Sequence, residues 1–118
     1  MNKDEIKKLI SQVAEYFPER MSGNEQTEIL TKRLAPLIQS DRAAVVDLLH
    51  DWLALRIPQS ERKPEDGKRE FWMWLAIEVA KRYSLNELRS DIESLLADVR
   101  AGKTFLPYYG DMIAKCIK

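Results

Sequence analysis

Apolar residues recur along this chain at intervals of three and four, and no segment alternates with period two over a useful length. That pattern predicts helices throughout and no strands. From Lys3 to Phe17, residues Ile6, Leu9, Ile10, Val13, Tyr16 and Phe17 make one stripe, with Lys3, Lys7, Lys8, Ser11 and Glu15 on the other side. Asn2 and Glu5 have the spacing of a capping box at its start, and Pro18 closes it. Met21 to Asn24 reads as a turn before a second helix, whose face is Thr27, Leu30, Leu34, Leu37 and Ile38. Pro36 lacks an amide and crowds the carbonyl four residues back, so a kink or break is expected near Leu34.

Ser40 or Asp41 should cap a third helix that runs to Ile57, where Pro58 stops it. Its stripe is Val45, Leu48, Leu49, Trp52 and Leu55. Residues 58–66 contain no large apolar side chain and read as an exposed loop. The fourth helix, about Lys68 to Tyr83, is the most apolar. Ser84 with Glu87 and Ser90 with Glu93 read as two successive capping boxes, giving a short helical turn and then a fifth helix from Asp91 to Arg100. The fifth helix carries Ile92, Leu95, Leu96 and Val99 as its stripe, and Gly102 suits the left-handed position after it. Pro107 would open a sixth helix. The expected fold is therefore all-α, with five to seven helices in a single domain spanning 1–118.

The stretch from Trp74 to Arg100 resembles one HEAT-type unit: an Ala-rich helix (Ala76, Ala80), a short connection, and a second helix carrying Leu95-Leu96 followed by Asp98 and Val99-Arg100, with Leu88 and Ile92 between. The likeness covers about a quarter of the chain. It implies a HEAT-like α–α superhelix, and a curved, non-catalytic surface that binds other macromolecules. Without it, the same helices read as an irregular helical bundle.

Charge narrows the function. The chain has 19 Lys and Arg against 19 Asp and Glu. Residues 1–59 carry 8 basic and 9 acidic side chains and residues 60–118 carry 11 and 10, so neither half is an acidic or basic arm. Arg62, Lys63, Lys68 and Arg69 could touch phosphate with Trp72 or Trp74 stacking on a base, but Glu61, Glu65, Asp66 and Glu70 interleave with them and cancel the field. A nucleic-acid-binding domain is thus the alternative rather than the first reading. The one cysteine, Cys116, excludes an intramolecular disulfide framework and reads as a small core hydrophobe. No window approaches the ~18–20 apolar residues of a membrane span, and the first residues are no secretory signal, so a cytoplasmic location is expected.

Two clusters stand out. On the fourth helix, 100° per residue puts Trp72, Met73, Ala76, Val79, Ala80 and Tyr83 on one arc. Phe71 and Trp74 fall on the opposite arc with Glu78, Lys81 and Arg82. Trp72 and Trp74 are separated by about 200°, so one core cannot take both. Phe71 and Trp74 are either covered by a second layer or available as an aromatic anchor for a partner. On the third helix, Asp47, His50 and Asp51 share a face at i, i+3 and i+4. They read as a polar patch suited to a basic partner. One helix gives too few ligands for a closed metal site, and no nucleophile is placed beside His50, so a metal-dependent enzyme is the weaker reading. Phe105, Leu106, Tyr108 and Tyr109 read as an anchor for the last helix. The sequence points to a small non-catalytic protein-binding module without cofactor or metal, contacting its partner through Phe71, Trp74, Glu78, Asp47, His50 and Asp51. Small neutral helical domains of this kind include bacterial immunity proteins that mask a partner toxin.

Overall fold

In the computed structural model, residues 1–57 and 66–104 are described, with side chains from 69 onward in the second stretch. The loop expected at 58–66 therefore lies outside the described residues apart from Asp66. So do the sixth helix, Cys116, the Phe105–Tyr109 cluster, and Arg62 and Lys63. The described chain is all-α: α1 (Lys3–Glu15), α2 (Gly23–Ser40), α3 (Arg42–Leu53), α4 (Asp66–Arg82) and α5 (Arg89–Arg100), with a 3-10 turn at Asn86–Leu88 between the last two. No strand is present among the described residues. Contacts divide the chain into two compact units between Leu49 and His50.

In the first unit, α1 starts as its sequence dictates. Asn2 Oδ1 accepts from the Glu5 amide at 2.8 Å, and the Asn2 amide donates back to Glu5 Oε1 at 3.1 Å. This reciprocal box satisfies two amides that the first turn would otherwise leave open. Ile6 and Ile10 are buried, while Leu9, Val13 and Phe17 are half-buried. Tyr16 departs from the expected stripe: it ends α1 and is 87% exposed. The helix stops at Glu15, so the rotation that would have carried Tyr16 inward is not completed. α1 packs against α2.

α2 opens on Ser22, whose Oγ accepts from the Glu25 amide at 3.2 Å, and Gly23 is already helical rather than part of a longer turn. The expected break near Leu34 is absent: α2 runs through Pro36 to Ser40. Pro36 itself is exposed, so its ring projects away from the buried face formed by Leu30, Thr31, Leu34 and Ile38. Thr31 reconciles its hydroxyl with full burial by donating to the Thr27 carbonyl at 2.6 Å.

α3 crosses the division between the units. Val45, Leu48, Leu49, Trp52 and Leu53 are buried on it. It ends at Leu53, four residues short of the Ile57 expected from sequence. Arg56 and Ile57 set that end. Arg56 turns back, donating from its guanidinium to the carbonyls of Leu53 at 2.6 Å and Leu55 at 2.8 Å, while Nε reaches Asp98 of α5 at 2.8 Å. The Leu53 carbonyl is at the end of the helix, where the last four have no intrahelical donor, and the Leu55 carbonyl lies just beyond it. Ile57 lies beyond the helix, and its buried amide donates to Thr104 Oγ at 2.7 Å.

The α4–α5 connection differs from the two capping boxes expected. Neither the 3-10 turn nor α5 has a side-chain cap. Ser84 adopts φ +52°, in the left-handed region. Its neighbours close a Schellman motif: Leu85 N–H donates to the Ala80 carbonyl at 2.9 Å and Ser84 N–H to Lys81 at 3.4 Å. Ser84 thus terminates the helix before it. Gly102 does the same for α5 at φ +75°, with Lys103 N–H on the Asp98 carbonyl at 2.9 Å and Gly102 N–H on Val99 at 3.1 Å.

Candidate functional site

Among the described residues of the second unit, α4 is the most enclosed helix. Met73, Leu75, Ala76, Ile77, Val79 and Ala80 are all buried, a wider buried arc than the sequence pattern indicates, since Leu75 and Ile77 join it. Glu70, read from sequence as one of the acidic residues interleaved with Lys68 and Arg69, is also buried, 7% exposed, and it is engaged in interactions of its own. A helix with no glycine or proline from Lys68 to Tyr83 can supply such an uninterrupted surface.

One strip of α4 stays outside this enclosure. Phe71, Trp74 and Glu78 are half-buried, and Lys81 and Arg82 are exposed. At 100° per residue these five fall within about 100° of arc and extend over roughly 16 Å along the axis. The strip is aromatic in its first half and charged in its second. Glu78 Oε1 accepts from Arg82 Nη2 at 3.2 Å, one helical turn on. Lys81 has no such partner among the described residues. The two cations also sit at the end of the helix where its carbonyl dipoles favour positive charge.

The neighbouring aromatics have different employment. Trp72 stacks on Trp52 of α3, with ring centroids 4.8 Å apart and planes 17° from parallel, and Phe71 meets Trp72 edge-on at 5.2 Å. Trp52 is buried and Trp72 half-buried. This stack draws Trp72 toward α3 and leaves Trp74, about 200° away, on the outward strip. Phe71 bridges both roles, touching the stack by its edge while remaining partly accessible.

The residues expected to form an acidic patch on α3 are all exposed: Asp47 in the first unit, His50 and Asp51 in the second. His50 is nonetheless committed elsewhere. Its Nδ1 lies 2.6 Å from Asp91 Oδ1, in the first turn of α5. Nothing in the sequence pattern associates Asp91 with His50. The two are 41 positions apart, and no local spacing signals the pair. Asp51 also has an interaction partner. Among the described residues no group of three or more His, Cys, Asp or Glu side chains could hold a metal ion, so Asp47, His50 and Asp51 do not converge as one.

His50–Asp91, Arg56–Asp98 and Ile57–Thr104 together form a polar seam from the end of α3 to α5 and its exit. Its members are spent on holding the unit together, with Thr104 fully buried. Among the described residues no helix is long and apolar enough to cross a membrane. Comparison with known protein families, with curated proteins and with solved structures returns no match.

Proposed function

We propose that this chain is a non-catalytic protein-binding module whose contact surface is the outward strip of α4, centred on Phe71 and Trp74. The observation that carries the reading is the partial exposure of Trp74 on a helix otherwise buried at Met73, Leu75, Ala76 and Ile77 around it. A tryptophan in that position loses little conformational entropy on docking and brings a large apolar area to the contact. A HEAT-like helical stack, suggested by residues 74–100, would present such a helix face to a partner. Masking of another protein in the manner of an immunity protein, in the cytoplasm, is the biological role that best suits a small neutral helical domain.

The reading predicts a stoichiometric complex with a second protein. Isolation of that complex from cells expressing the tagged chain, followed by titration of the purified components, provides the test. Trp74→Ala should weaken binding by roughly 30-fold or more, the loss typical of a central aromatic anchor. Lys7→Ala, an exposed change on α1, serves as control. Affinity unchanged in both Trp74→Ala and Phe71→Ala, with circular dichroism showing folded variants, would refute the assignment.

A further inference from the structure

The charges on α4 specify more than a generic partner. Among its described side chains the exposed ones are Arg69, Lys81 and Arg82, all cationic. Two of these, Lys81 and Arg82, lie on the strip that carries Phe71 and Trp74, about two to three turns beyond the aromatics. The acidic group of the strip, Glu78, is half-buried and already joined to Arg82. The surface therefore offers an apolar anchor site followed by two positive charges, of which Lys81 has no partner among the described residues.

We infer that the segment docking on α4 is an acidic amphipathic peptide, about three helical turns long or its extended equivalent. It would set an apolar side chain against Phe71 and Trp74 and carboxylates against Lys81 and Arg82. The inference rests on the protein-binding reading above and names the chemistry of the partner at that same site. Complementary charge at the rim of an aromatic anchor sets register and excludes basic competitors. Single-stranded nucleic acid also combines stacking with negative charge. Its phosphates repeat at every nucleotide, however, whereas this strip supplies two cations with a carboxylate, Glu78, between them and the aromatics. A peptide can place one or two carboxylates where the cations are and none opposite Glu78.

The experiment is a selection of random 12-residue peptides displayed on phage against the immobilised full chain. It is run in parallel on Trp74→Ala and on the double variant Lys81→Glu/Arg82→Glu, with circular dichroism and thermal melting establishing that each variant is folded. Wild type should enrich peptides combining apolar residues with Asp or Glu. The best of them, synthesised and titrated, should bind the double variant roughly tenfold more weakly. Glu78→Gln should bind the same peptide more tightly, because a like charge is removed. Enrichment of neutral or basic peptides that still depend on Trp74 would overturn the acidic-partner inference and leave the protein-binding reading standing. Enrichment indifferent to Trp74, or none above the Trp74→Ala background, would overturn both. Salt-sensitive binding of a labelled 12-nucleotide single-stranded RNA that is lost in Trp74→Ala would assign the strip to nucleic acid instead.

Discussion

Two residues with positive φ show how single positions terminate helices here. Ser84 and Gly102 occupy the same left-handed slot after α4 and α5, but only Gly102 holds it without a Cβ conflict. Ser84→Gly should therefore raise stability by about 0.5–1 kcal/mol, the relief of strain exceeding the added freedom of the unfolded chain. Gly102→Ala should lower it by about 1 kcal/mol from backbone strain alone, since open space surrounds the missing Cβ. Urea unfolding of both variants checks the pair; a destabilised Ser84→Gly would contradict the role given to Ser84. Asp41 supplies a pH-dependent counterpart. The Met1 ammonium, 3.0 Å from Oδ1, and then the Ser40 hydroxyl hold its carboxyl below the ordinary value. A depressed folded-state pKa contributes stability above the unfolded pKa, and that contribution is lost as the pH falls through the folded value. The wild type should accordingly lose stability below about pH 4 more steeply than Asp41→Asn. Coincident acid limbs for the two proteins would show that the contact contributes nothing in solution.

At the scale of elements, what was legible in the sequence was what is local. The Asn2–Glu5 box, the buried faces of α1, α2 and α5, and the left-handed Gly102 arise from residues within one or two turns of each other. The helix ends that depart from the pattern are set by distant partners or by competition. α3 stops at Leu53 because Arg56 and Ile57 are held by Asp98 and Thr104, 42 and 47 positions away. Ser84 has the spacing of an N-cap, yet the Schellman bond from Leu85 to Ala80 claims it for the helix before. Pro36 is tolerated because it lies on the exposed side of α2, where only its own lost hydrogen bond counts. Pro36→Ala should thus stabilise the protein by about 1–3 kcal/mol, read as a higher thermal midpoint. Thr104→Val should cost about 1–3 kcal/mol by stranding the buried Ile57 amide, whereas Thr104→Ser, which keeps the hydroxyl, should cost much less. Equal losses in the two Thr104 variants would assign the effect to packing.

For the molecule as a whole, balanced charge places the burden of recognition on local surface rather than on net field. The strip on α4 was readable from helical rotation alone, because Phe71 and Trp74 fall opposite the apolar arc with Glu78, Lys81 and Arg82. The sequence could not decide whether a second layer hides them; the structure leaves Trp74 partly exposed and gives Trp72 the stacking role beside Trp52. The patch on α3 was legible as exposed positions but not as chemistry, since the group facing His50 is Asp91, in another helix. The central claim is that α4 binds a partner protein through this strip. Photo-crosslinking from a benzoylphenylalanine placed at position 78, on the same strip with Phe71 and Trp74 left in place, in cells and then with purified components, tests it most directly. One dominant crosslinked protein is expected at 78, absent when the same group stands at position 7 on α1 and competed away by the unlabelled chain. Equal yields at both positions, or no crosslink at 78 from a folded, well-expressed chain, would contradict it.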